Sequence, residues 1–216
     1  MEMFITRYRI INNMRLHDYA THILGSKFTM RVLKTLLHYR GKVFTIRELA
    51  RLSDISHPAV SKVTKELEVA GVVKLQPVGK AYQIMLNDES YILKSMIEPM
   101  FKAEQQTVKE LIATIKPFFK NEKIISVAIF GSVARSQEGR TSDVDLLIVT
   151  KDREFANECA AKASSATLST FGSALSPLIM DKKQLKEKRN KKLVNSILKS
   201  HLLVSGKDLE EMLSSD

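Results

Sequence analysis

Between Ala128 and Val149 the chain reads A-I-F-G-S-V-A-R-S-Q-E-G-R-T-S-D-V-D-L-L-I-V. Two apolar runs flank Gly131-Ser132 and a polar loop, and the second run opens with two aspartates one residue apart. The runs Ile124–Phe130 and Asp143–Val149 predict buried strands. Side chains alternate faces along a strand, so Asp143 and Asp145 share one face while Val144 and Leu146 take the other. Two carboxylates this close repel each other unless a cation sits between them. A hard divalent ion with oxygen ligands, Mg²⁺ or Mn²⁺, resolves the conflict, and Mg²⁺ fits best when a substrate brings phosphates as further ligands. The competing reading is two turn residues that cap neighbouring amides.

The preceding turn supplies the complement. Gly131 lets the backbone approach an anion, and Ser132 offers a hydroxyl. A short helix or turn starting at V-A-R-S presents amides to phosphate oxygens, and Arg135 adds a forked cationic contact. One end of the sheet is thus equipped for a nucleoside triphosphate, ATP or another, and its metal.

G-S-V-A-R followed by S-D-V-D-L resembles the signature of the DNA polymerase beta-type nucleotidyltransferase superfamily, over roughly residues 120–206. The small minimal nucleotidyltransferases, some carrying a winged helix, are the nearest look-alikes. The resemblance implies that Gly131, Ser132, Arg135 and Ser142 bind the nucleotide, the first two at its β- and γ-phosphates. It implies that Asp143 and Asp145 hold the metal. The implied reaction transfers a nucleoside monophosphate to an acceptor with loss of pyrophosphate. In the family a third carboxylate on a later strand completes the site. Here that strand is expected over Leu175–Met180, after a helix from Arg153 to Thr170, and the acid would fall near Ser176. The nearest acid is Asp181, a candidate third catalytic carboxylate, provided that Pro177 shifts the strand's phase. The alternative for Asp181 is an N-cap or first-turn acid for K-K-Q-L-K-E-K. Ser136 stands where these proteins often have Gly.

Upstream, Phe28–Tyr39 has helical apolar spacing at Val32, Leu33, Leu36 and Leu37, ended by Gly41. Thr45 and Glu48 read as a capping box for a second helix, which Ser53-Asp54 breaks. Ser56 can cap a third, His57 to Ala70, with Pro58 in its first turn. Val60, Val63 and Leu67 form its apolar stripe, and His57, Ser61, Lys62 and Lys65 lie opposite. Val72–Gln76 and Ala81–Leu86 read as a hairpin. Three helices and a hairpin resemble the winged helix-turn-helix family, over roughly residues 28–86. The resemblance implies that His57, Ser61, Lys62 and Lys65 face the major groove of double-stranded DNA and that Lys80 at the wing tip touches phosphate. A solvated polar face or a protein-contact module is the alternative.

Charge agrees with a polyanionic partner. The formal net charge is +10, most of it in the first 95 residues. One cysteine, Cys159, rules out a disulfide within the chain and suits a cytoplasmic location. No apolar run reaches membrane-spanning length, and the N-terminus lacks a signal-peptide core, so no membrane partner is expected. The five histidines show no ligand-type spacing beyond a loose His17/His22 pair. Residues 90–119 carry a long helical pattern, kinked near Pro99 and closing near Pro117. It reads as a packing helix between domains or as the seam of a homodimer. Lys182–Lys192 holds seven basic residues and one acid, a solvated face or a surface for nucleic acid or triphosphate.

The expected fold class is α/β of the α+β kind. Residues 1–27 form an N-terminal helical arm, 28–88 the winged helix, 89–119 the connector helix and 120–216 a mixed sheet with flanking helices. Two functions follow. One is a metal-dependent nucleotidyltransferase, placing AMP or another nucleotide on a protein or nucleic acid, as in antitoxins that modify a partner toxin, and coupled to DNA. The other is a DNA-binding transcription regulator that binds nucleotide without turning it over.

Overall fold

A computed structural model describes residues 25–79, 81–137, 139 and 142–214. The N-terminal arm as far as residue 24, including His17 and His22, and the wing residue Lys80 lie outside the described residues. The chain divides into two units, Met1–Gln105 and Gln106–Asp216.

In the first unit, helix α1 spans Lys27–His38, with Ser26 accepting from the Thr29 N–H. Strand β1 is Phe44–Thr45, helix α2 Ile46–Ser53 and helix α3 His57–Val69. Strands β2, Val73–Val78, and β3, Ala81–Leu86, make the hairpin. The three strands form an antiparallel sheet in the order β1-β3-β2. The third strand, β1, was not expected; two residues are too few for a periodic signal. Thr45 caps α2 through Glu48 N, but the Glu48 carboxylate pairs with Lys42 at 2.6 Å. Ser56, before Pro58 in the first turn, makes no side-chain cap. Val32, Leu33, Leu36, Leu49, Val60, Leu67 and Ile84 are at most 1% exposed and form the core that orients α3.

The connector is built in three pieces. Leu93–Ile97 is a π-turn, then comes α4, Glu98–Ile115, then a 3₁₀ turn at Lys116–Phe119. Pro99 has no N–H to give to the carbonyl four residues back, and the wider turn immediately before it absorbs the defect. The boundary between units falls inside α4 rather than at residues 88 and 119. Ile97 and Phe101 join the first core, while Leu111, Ile115 and Phe119 join the second.

The second unit is a four-stranded sheet in the order β6-β5-β4-β7. Its strands are β4 Ile124–Ile129, β5 Val144–Thr150, β6 Leu175–Met180 and β7 Leu202–Gly206. β4 pairs antiparallel with β5 and β7, and β5 pairs parallel with β6. Helix α5 is Gly131–Ala134, α6 Arg153–Phe171, α7 Lys182–Lys186, α8 Lys191–Lys199 and α9 Leu209–Ser214. One face of the sheet, with Val144, Leu146 and Ile148, packs on α6 and the end of the connector. Leu147 and Val149 point the other way, onto residues of α7, α8 and α9. Asp152 caps α6 through Phe155 N at 3.0 Å, and Lys123 beside it, with that amide, holds its carboxyl below the usual range. β6 lies at an edge, as Pro177 implies. There Leu175 N donates to Ser164 Oγ at 3.0 Å, and Arg153 donates to Ile179 O at 2.9 Å.

Candidate active site

The site grows from the β4–β5 pair. Ile129 pairs with Leu146, and one residue further Phe130 N donates to Asp145 O at 3.0 Å. The chain then leaves the sheet through Gly131, at φ +74°, directly into α5. A Cβ on Gly131 would run into Asp145 Oδ2 and lie 2.9 Å from Asp145 Cγ. Glycine is therefore required twice, for its backbone angle and for the carboxylate resting over its Cα.

Asp145 is half-buried, and Asp143, just before the first strand residue, is exposed. Strand alternation keeps them on one face. Neither carboxylate has a hydrogen bond or ion pair among the described residues, so neither is spent on capping an amide. Gly131 and Ser132 are half-buried, and the first amides of α5 have no acceptor within that helix. Arg135 is exposed. Ser136 sits at φ +53°, the left-handed region, which explains why glycine suits that position. Ser142 Oγ accepts from Gly139 N at 2.9 Å, so its oxygen shapes the loop.

Ser200 was not foreseen. Its hydroxyl donates to Ala134 O at 3.0 Å and ties the end of α8 to α5 across 66 residues of sequence. Nothing local marks it, because the contact exists only once β7 has paired with β4.

Asp181 does not belong to this site. The β5–β6 register is unbroken from Val144↔Leu175 to Val149↔Met180, so Pro177 shifts no phase. Asp145 lies opposite Ser176, on the same face, where the third acid would stand. Asp181 is five residues farther along, about 16 Å at strand rise. It is occupied as the N-cap of α7, accepting from Gln184 N at 2.8 Å while its own N–H donates to Gln184 Oε1 at 3.0 Å. Among the described residues no three His, Cys, Asp or Glu side chains gather in a group that could hold an ion.

The residues assigned to DNA lie on α3 in the first unit. His57, Lys62 and Lys65 are exposed and Ser61 is half-buried, opposite the buried Val60, Val63 and Leu67. Lys62 approaches Glu66 at 3.9 Å, a solvated contact worth little.

Residues 113–210 match the family model described as "Polymerase beta, Nucleotidyltransferase". No curated protein matches the chain. Among solved structures, a toxin-antitoxin crystallised with AMP-PNP is similar over 47% of this chain and 78% of its own, at 16% identity and a TM-score of 0.35. NadR in complex with 4-hydroxyphenylacetate is similar over 51% and 77%, at 17% identity and 0.35. TrmBL2, an archaeal chromatin protein, is similar over 87% and 76%, at 18% identity and 0.30.

Proposed function

We propose, from the match of residues 113–210 to the polymerase beta nucleotidyltransferase model, that the protein transfers a nucleoside monophosphate from a triphosphate to an acceptor hydroxyl. The acceptor oxygen forms a bond to the α-phosphorus. The bond from that phosphorus to the bridging oxygen breaks, pyrophosphate leaves, and the acceptor proton passes to solvent. The observation that carries this reading is the nesting of Asp145 over Gly131, with neither aspartate bonded to a partner among the described residues. Gly131, Ser132 and the first α5 amides receive the triphosphate tail, and Arg135 adds charge beside it. The donor set fits a hard divalent cation such as Mg²⁺, which Asp143 and Asp145 would hold. When bound, it neutralises charge on the phosphates.

Ser176 opposite Asp145 supports a second reading, a domain that binds nucleotide without turning it over. Incubation with labelled ATP, GTP, CTP or UTP, Mg²⁺ or Mn²⁺ and protein or nucleic-acid acceptors separates the two. Label transfer that disappears in Asp143→Ala and Asp145→Ala supports the enzyme. Calorimetric binding of nucleotide with no transfer supports the sensor.

For the first unit we propose a winged helix that docks α3 on double-stranded DNA through His57, Ser61, Lys62 and Lys65, with Lys80 at the wing. The buried stripe of α3 and the sheet order β1-β3-β2 support it. Phosphate contacts release counterions, so log K should fall linearly with log salt. No mobility shift on duplex DNA at low salt would overturn this half.

A further inference from the structure

We propose that α7, the turn after it and α8 form a basic track for the phosphate backbone of a nucleic acid, and that this strand is the acceptor; the second clause rests on the transferase reading. Residues 182–199 carry eight basic side chains and one acid. Lys182, Lys183, Lys188, Lys191, Lys192 and Lys199 are all exposed, and none pairs with a carboxylate among the described residues. A run of this kind is ordinarily a solvated face, but its path through the fold is particular. Asp181 fixes the start of α7 beyond the C-terminal end of β6, far from Asp145. α8 then covers the sheet face that bears Leu147, Val149 and Asp145, with Val194 and Ile197 buried beneath it. It ends at Ser200, bonded to Ala134 in the phosphate-approach helix α5. The track therefore leads from the far end of the sheet to the catalytic end.

The stripe on α8 is regular. Lys192, Ser196 and Lys199 stand at i, i+4 and i+7, one side of the helix, and all three are exposed. Lys192 and Lys199 are about 10 Å apart along the axis, roughly the rise of three stacked nucleotides. The chemistry fits a polynucleotide better than an acidic protein. Protein interfaces are depleted in lysine and gather apolar anchors, whereas Leu193 is the only exposed large hydrophobic residue described on these elements. Residues 182–199 contain no aromatic side chain, so bases have nothing to stack on. Binding should follow the backbone, be indifferent to sequence and depend steeply on salt.

The test uses the full chain and a fluorescein-labelled 12-nucleotide oligoribonucleotide, followed by anisotropy across salt concentrations. The triple variant Lys188→Gln, Lys192→Gln, Lys199→Gln should lose tenfold or more in affinity, and its salt slope should fall by about 2. Lys102→Gln with Lys109→Gln, exposed on α4 and in neither site, should leave strand affinity unchanged. Should the triple variant misfold by circular dichroism, a 4-thiouridine oligonucleotide cross-linked to the unaltered protein should label peptides within 182–199. Parent-like affinity in a folded triple variant, labelling confined to residues 57–82, or polyglutamate competing as well as the oligonucleotide would each overturn the proposal. Strand binding with no label transfer to the oligonucleotide would sink the acceptor clause and leave the track; no transfer to any protein or nucleic-acid acceptor would sink the transferase reading itself. Transfer without strand binding would sink the track alone.

Discussion

At the scale of single residues, Gly131 and Asp145 act as one unit. Gly131→Ala places a methyl group on the Asp145 carboxylate in a backbone region that L-residues avoid. It should cost about 1–2 kcal/mol of stability by urea denaturation and abolish calorimetric nucleotide binding. Ser176 invites the opposite experiment. Ser176→Asp adds a carboxylate opposite Asp145, on the face where the family resemblance would place a third acid. Transfer should rise at least tenfold, about 1.4 kcal/mol of barrier, read as initial rate with labelled triphosphate. An unchanged rate would count against the site's being a transferase short of one ligand. The aspartate pair and the glycine were legible in the sequence because alternation and turn chemistry are local rules. For Asp181 the sequence offered both a third ligand and the N-cap it turns out to be, and did not choose between them. Whether Pro177 shifts the strand's phase is decided by pairing with β5, which a single strand does not encode.

At the scale of elements, the capping box on α7 and the ion-ligand reading of Asp181 make opposite predictions. Asp181→Ala should lower the melting free energy by about 1 kcal/mol while leaving metal-dependent transfer at the parent rate. Asp181→Asn, which keeps the cap, should leave both unchanged. A loss of transfer in the asparagine variant would return Asp181 to the chemistry. Elements with strong periodicity, such as α3 with its stripe of Val60, Val63 and Leu67, were readable within a residue or two of their ends. β1 was not, since Phe44 and Thr45 become a strand only by pairing with Ile84 and Gln83. The link from Ser200 to Ala134 is of the same kind, an interaction that tertiary structure creates.

At the scale of the whole molecule, each unit has a hydrophobic core of its own, and the connector contributes to both. Residues 1–105 and 106–216, expressed separately, should each melt cooperatively by circular dichroism. The second fragment should bind nucleotide as the full chain does; a fragment that is unfolded alone would show that its core is incomplete. The seam inside α4 falls in residues 102–107, K-A-E-Q-Q-T, an exposed stretch with no large apolar side chain; the helical pattern on either side of it was read as one connector. The edge at β6 bears on assembly. Leu175 N and Ile179 O already have partners in Ser164 and Arg153, and Pro177 between them has no proton to give. A passing β-strand would meet a ladder interrupted at these three positions, so this margin of the sheet is a poor template for stacking one molecule on the next.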